Sequence, residues 1–306
     1  MSDYIKYCDN HNKLCYKSSS DIVIDHDEKI LSLANSNVVK IIDVCNFFDV
    51  THIDISKNNL SSLVHIDKFI SLKVLDASDN IIHDIIDDDQ KLYFNNLKEL
   101  YMSHNYIKYF DSLYHIHNLE VLNLSNNKIC SIPQSNDKMF LHKLCKLNIS
   151  SNKLISLENI NHFTSLTHLS LSKNNIVTID HLYGLDNLVN IDLSHNKITI
   201  IKSLNHLTKL QTILLNNNMI EKIQNIDQLV NLEILDLSHN NITIIENINN
   251  QVSLKKLILR NNKISELTNI FSLFSLCLID LRDNNYSLNT HDITRLDHMH
   301  KLNVLY

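Results

Sequence analysis

The chain has 306 residues but only one glycine, Gly184, one proline, Pro133, and no tryptophan. A loop that cradles phosphate needs several glycines so that backbone N–H groups can approach the anion, so P-loop and dinucleotide-type chemistry is excluded. Long hydrophobic runs are also missing. No segment approaches the roughly 18 consecutive apolar residues of a membrane span, and the opening residues "MSDYIKYCDN" lack the basic flank and apolar stretch of an export signal. Positive charge is in short supply: the net charge of -6 leaves no basic field for nucleic acid. Cysteine is scattered, with Cys45, Cys130, Cys145 and Cys277 falling singly along the chain, and the six in all read as free thiols rather than a disulfide framework. These absences point to an intracellular, cytoplasmic protein, with the nucleus left open.

Asparagine, isoleucine and lysine are abundant, the compositional mark of an AT-rich genome. The hydrophobic share of 44% is ample for an elongated core. Its distribution is periodic. From Val50 to Tyr286 the pattern LxxLxLxxNxI recurs eleven times, from "VTHIDISKNNL" at residue 50 to "LCLIDLRDNNY" at residue 276. The units begin at Val50, Leu72, Leu97, Leu119, Leu144, Leu166, Leu188, Leu210, Leu232, Leu254 and Leu276, in steps of 22 that are twice lengthened to 25. In "LTHLSLSKNNIVTIDHLYGLDN", residues 166–187, apolar side chains hold positions 1, 4, 6, 11, 14, 17 and 20, and position 9 is asparagine.

The alternation at positions 4 and 6 has period two, which places Leu169 and Leu171 on one face of a short strand and Ser170 on the other. Rungs of equal length stack their strands in parallel about 4.8 Å apart, and the spacing of three from position 11 onward returns the chain along the opposite wall. One rung cannot bury its apolar face; a stack can. Position 9, where the chain leaves the strand, holds Asn58, Asn80, Asn105, Asn127, Asn152, Asn174, Asn196, Asn218, Asn240, Asn262 and Asn284. A primary amide donates and accepts, so this ladder is suited to satisfying inward-pointing backbone groups. On the same logic position 7 should face outward, and Ser194→Ala should be near neutral where Leu193→Ala, at position 6, is damaging.

This pattern resembles the leucine-rich repeat. The 22-residue period with Ile or Leu at positions 11, 14, 17 and 20 is similar to the subclass of the protein phosphatase 1 regulatory subunit and of bacterial internalins. The resemblance implies an α/β fold: a right-handed solenoid with a parallel β-sheet on the concave face and short 3-10, helical or extended segments on the convex face. The family is united by geometry and its members bind unrelated proteins, so the resemblance implies binding without naming a partner.

The register divides the chain into an N-terminal arm or cap (1–27), a repeat region (28–286) and a C-terminal cap (287–306). Residues 28–49 read as a degenerate first repeat, with Leu31, Leu33, Val38, Ile41, Val44 and Phe47 at positions 4, 6, 11, 14, 17 and 20, but Ser36 at position 9. Thr290 to His300 is expected to form a capping helix that turns Ile293, Leu296 and Met299 toward the last rung. Both long units carry their extra residues after position 11. One insertion holds Asp84, Asp87, Asp88 and Asp89, read as a solvated acidic loop, and the other is "SIPQSNDKMF".

Metal and catalytic candidates are weak. "CDNHNKLC" supplies Cys8, His11 and Cys15 at a spacing that fits no common zinc module, and His298 and His300 form a pair of the kind expected by chance among 18 histidines. No metal and no cofactor is expected. His195 with Asp192, and His239 with Asp236, pair residue types suited to acid–base work, but on an open sheet no pocket shifts their pKa values or holds a substrate. The chain is read as a non-enzyme. Sequons at Asn123 and Asn148 fall at position 5, where a glycan would block the binding face, which argues against a glycosylating compartment.

Positions 3, 5, 7 and 8 are free of the consensus and should project from the strands. Early rungs present a polar surface with one aromatic, Tyr101. Later rungs present Thr212, Leu214, Ile234, Asp236, Ile258, Arg260, Leu278 and Arg282, apolar side chains bordered by charge, which is the composition of a protein-binding patch. The reading is a monomeric scaffold or adaptor that grips a protein partner on the concave face, with neither nucleic acid nor membrane as ligand. The alternatives are a regulatory subunit of a Ser/Thr protein phosphatase, and a secreted internalin-like adhesin.

Overall fold

The computed structural model describes residues 4–9, 14–18, 23–25, 29–45, 49–85, 94–134, 141–267, 269–286, 299 and 302–306. The chain divides into two units, Met1–Asn152 and Lys153–Tyr306. Both are stacks of the short rungs that the repeat requires.

The first unit opens with β1 (Tyr4–Asp9), β2 (Leu14–Ser18), β3 (Val23–Asp25), β4 (Ile30–Ser32) and β5 (Val38–Cys45). Five rung strands follow: β6 (His52–Asp54), β7 (Val74–Asp76), β8 (Glu99–Tyr101), β9 (Val121–Asn123) and β10 (Lys146–Asn148). Strands β4 and β6 to β10 pair in parallel, each with the equivalent residue of its neighbour opposite, as in Ile53 against Leu75. The first rung departs from the expected return wall. Its "VVKIIDVC" is rich in β-branched residues, and instead of tracing a wall spaced by three it forms β5, which pairs antiparallel with β1 in a separate β2–β1–β5 sheet. Strand β3 adds antiparallel to β4 and ends the parallel array on that side.

The second unit holds β11 (His168–Ser170), β12 (Asn190–Asp192), β13 (Thr212–Leu214), β14 (Ile234–Asp236), β15 (Lys256–Ile258), β16 (Leu278–Asp280) and β17 (Asn303–Leu305), all parallel to their neighbours. The expected capping helix lies outside the described residues, as do Asp87, Asp88, Asp89, His11, His298 and His300.

Strands β4 and β6 to β16 are each three residues long, and the central residue of each is buried, as at Leu75, Leu122, Ile191 and Leu257. Positions 1, 6, 11, 14 and 17 complete the core column by column; Leu166, Leu171, Ile176, Ile179 and Leu182 of one rung are all fully buried. Each such side chain contributes about 1.5–3 kcal/mol by leaving water. Three of the return walls contain short 3-10 helices, Ile66–Lys68, Asp111–His115 and Ile160–His162.

Among the described residues, column 20 breaks once. Rungs around it place Leu207, Leu229 and Leu273 there, but the rung from Leu232 places Gln251, which is also fully buried. Its Nε2 donates to the Ile226 carbonyl at 2.8 Å, while its Oε1 meets no partner among the described residues.

The lack of glycine has a visible consequence. The turn after every rung strand needs a left-handed residue at position 8, and it is supplied by side-chain-bearing residues from Lys57 (φ 54°) to Asp283 (φ 58°). Most are Asn, Asp or His, the types that tolerate this region best. A second left-handed column runs at position 16, through His65, Asn159, His181, Ser203, Asn225, Asn247 and Asn269. In the rungs from Leu210, Leu232 and Leu254 its amides act as a further ladder: Asn225, Asn247 and Asn269 each donate at 2.7 Å to a carbonyl of the preceding rung, those of Ile201, Ile223 and Ile245.

Candidate interaction surface

The position-9 asparagines set the surface by locking one rung to the next. Asn196, itself buried, donates from Nδ2 to the carbonyls of Leu171 and Leu193, both at 3.0 Å, and accepts from the Ile176 N–H at 3.0 Å. The same arrangement recurs at Asn58, Asn80, Asn105, Asn127, Asn218, Asn240 and Asn262. In the degenerate rung Ser36 replaces the asparagine and donates its hydroxyl to Ala34 at 3.2 Å. The exact repetition of these bonds holds the strands in register, so that equivalent positions form straight columns across the sheet.

In four rungs position 7 does not project as the alternation suggests, although Arg260 and Arg282 at the same position are exposed. Ser78, Ser125, Ser194 and Ser238 are buried. The strand exit is held by a side-chain turn: the position-5 Asp or Asn accepts from the N–H two residues on, at 2.9 Å for Asp54, Asp76, Asp192 and Asp236 and at 3.0 Å for Asn123 and Asn148. Asp192 and Asp236 also take the hydroxyls of Ser194 and Ser238 at 2.7 Å. These carboxylates therefore shape the turn. The signal was present in the sequence as Asp or Asn at position 5 followed by Ser at position 7. The histidines once set beside them turn along their own column, with His195 Nε2 3.4 Å from Asn217 Nδ2 and His239 Nδ1 2.6 Å from Asn261 Nδ2.

In the second unit, positions 3 and 5 flank each buried central residue, most of them half-buried, with His168 and Lys256 exposed and Asp280 buried. Column 5 reads Asp192, Leu214, Asp236, Ile258, Asp280, and column 3 reads Asn190, Thr212, Ile234, Lys256, Leu278. The apolar members alternate between columns on successive strands: Leu214, Ile234, Ile258, Leu278. A continuous apolar zigzag results, interleaved with Thr212, Asp236, Lys256 and Asp280.

Arg260 and Arg282 border this zigzag but are held by the protein itself. Arg260 Nε donates to Asp283 at 2.8 Å, and Arg282 forks onto Asp280, Nε to Oδ1 at 2.9 Å and a terminal nitrogen to Oδ2 at 2.5 Å. Bonding to Arg282 holds the Asp280 carboxyl below the usual carboxylate range, against a smaller opposing effect of burial. Tyr101 belongs to the first unit. It is half-buried and donates to Glu99 at 2.7 Å; burial first, and then this bond, push its phenol up to about 12.

Cys8 and Cys15 lie on the paired strands β1 and β2, Cys8 opposite Leu14 and Cys15 opposite Tyr7. Among the described residues, no three His, Cys, Asp or Glu side chains gather so as to hold a metal ion, and no helix is long and apolar enough to cross a membrane. An apolar column that the sequence reading missed runs at position 21, where Val230, Val252 and Phe274 are 45%, 58% and 89% exposed.

Comparison with known proteins agrees with this geometry. Leucine-rich-repeat family patterns match residues 95–137 (two copies), 164–220 and 231–251. The chain is a leucine-rich repeat protein, and its 22-residue repeat spacing fits. An internalin, inlF, from Listeria monocytogenes superposes with a TM-score of 0.77 at 19% identity, over 95% of this chain and 89% of its own. A leucine-rich repeat protein from Leptospira interrogans gives 0.74 at 24% identity, over 85% and 73%. A chain of the octameric complex of Latrophilin 3, Unc5D and FLRT2, in which FLRT2 contributes the leucine-rich repeats, gives 0.73 at 19%, over 92% and 90%. At these identities the likeness is one of fold. A comparison with curated protein sequences gives no match.

Proposed function

We propose that this chain is a non-catalytic scaffold that binds a protein partner on the solvent side of the second unit's parallel sheet, the face that the leucine-rich-repeat architecture makes concave. The observation that carries this reading is the zigzag of Leu214, Ile234, Ile258 and Leu278, four large apolar side chains half in water in one register-locked array. Clustered apolar surface rimmed by charge is the usual composition of an interface core. That FLRT2 occurs in a complex with other proteins is in keeping with it.

A site inside the cell accords with the sequons, since Asn123 and Asn148 stand half-buried at position 5 of their strands, where a glycan would cover the solvent side of the sheet. The test is affinity capture from the source cell's lysate with the wild type and with a Leu214→Glu, Ile258→Glu double variant, both checked for fold by circular dichroism. A partner retained by the wild type and released by the double variant is the expected result. Equal capture by both would overturn the placement of the site.

A further inference from the structure

We propose that the partner element seated on this zigzag is an amphipathic α-helix lying across the strands, with apolar residues at alternating steps of three and four. The inference rests on the binding reading above and specifies the partner's chemistry.

The geometry follows from the register. Leu214 faces Asp236, Asp236 faces Ile258, and Ile234 faces Lys256, which faces Leu278. From one apolar contact to the next the sheet therefore advances by one strand, about 4.8 Å, and shifts sideways by two residues, about 6.6 Å. Three such steps cover roughly 14 Å along the stack. On a helix, apolar residues three and four apart advance about 4.5 and 6 Å and fall alternately to either side of the seam. Three steps there cover roughly 16 Å, so four contacts stay in step with four rungs. An extended strand laid along the same path presents same-face side chains in a single line every 6.6 Å or so, roughly 20 Å for three steps, and loses register before the fourth. It also cannot alternate sides. The zigzag thus selects a helix by both pitch and handed alternation.

Charge fixes the flanks. Asp236 stands in column 5 between Leu214 and Ile258, and the exposed Lys256 stands in column 3 between Ile234 and Leu278. Column 5 of the seam thereby carries a carboxylate and column 3 an ammonium, while the arginines beyond column 5, Arg260 and Arg282, are paired to Asp283 and Asp280. A helix with basic residues flanking one side of its stripe and acidic residues flanking the other is complementary, and its direction along the stack is set by that pairing.

The experiment is selection of displayed random peptides of about 15 residues, enough for four helical turns, against the full chain. Selected peptides are then measured by fluorescence anisotropy against the wild type, the folded Leu214→Glu, Ile258→Glu double variant, and Asp236→Asn, which removes the charge while keeping the turn that asparagine makes at positions 123 and 148. The expected result is enrichment of apolar residues at three- and four-residue spacing, with affinity lost about tenfold or more in the double variant and on placing proline at the peptide's centre. Asp236→Asn should weaken peptides with basic flanks and spare those whose basic flank is replaced. Enriched peptides of period two or of proline-rich pattern that still lose affinity in the double variant would overturn the helix and leave the binding surface standing. Peptides indifferent to the double variant, or no enrichment at all, would overturn both.

Discussion

The side-chain amide of Asn196 donates at 3.0 Å to the carbonyl of Leu171, a residue 25 positions earlier in the chain. One amide thus satisfies the turn of its own rung and ties it to the rung before, where Ile176 N–H donates back at 3.0 Å. Asn196→Ala removes both connections inside a buried turn and is expected to cost about 1–3 kcal/mol. Urea denaturation, with Leu193→Ala as a core reference at about 2–5 kcal/mol, measures it. A loss near zero would mean that the turn is held by its backbone bonds alone.

Ser194 marks where side-chain alternation gives the wrong environment. Its hydroxyl donates to Asp192 at 2.7 Å and the residue is buried. Ser194→Ala is accordingly expected to cost about 0.5–1.5 kcal/mol rather than nothing. The same denaturation series decides, and a variant as stable as the wild type would return position 7 to the solvent face.

Gln251 is a polar residue in a leucine column. The Ile226 carbonyl that it bonds also accepts from the Leu229 N–H at 2.9 Å, so removing the glutamine leaves that carbonyl with a partner. Gln251→Leu restores the column and removes the unpaired Oε1, and should stabilise the protein by about 1–2 kcal/mol. A raised urea midpoint at unchanged slope is the expected signature; destabilisation would mean that Leu does not fit among Leu229 and Leu273.

Asp280 and Arg282 make stability depend on acid. Because Arg282 holds the folded carboxyl below its ordinary value, the unfolded chain takes up the proton first as the pH falls. The contribution is complete above the usual aspartate pKa of about 3.9 and fades as pH drops through that value toward the lower folded one. The stability gap between wild type and Asp280→Asn should therefore narrow between neutral pH and the acid side. Paired denaturation curves across that range test it, and a gap that widens with acid would contradict the direction.

Much of the architecture was legible before any coordinates. A period of 22 with leucine-type residues at fixed positions defines the rung, because every apolar column must face the same column of the next rung to leave water. The two 25-residue units obey the same rule by placing their extra residues outside the strands. The degenerate rung was harder. Leu31 and Leu33 keep the buried register, but "VVKIIDVC" carries both a spacing of three and a β-branched run, and pairing with β1 decides in favour of the strand.

The surface shows the same division. Which side chains stand at positions 3 and 5 is a matter of sequence, since the strand period is local and needs only the chain itself. Their partnership is not. Leu214, Ile234, Ile258 and Leu278 are 20 to 24 residues apart in sequence and become one seam only when parallel pairing aligns their strands. Likewise Arg260 and Arg282 read as free cations along the chain, and only the stacking of rungs and the tightness of the turns deliver them to Asp283 and Asp280. Local periodicity determined the rung and its core, because burial repeats with the chain. Tertiary structure decided which side chains are tied to the next rung and which are left to a partner, because those choices depend on neighbours that the sequence keeps a full rung away.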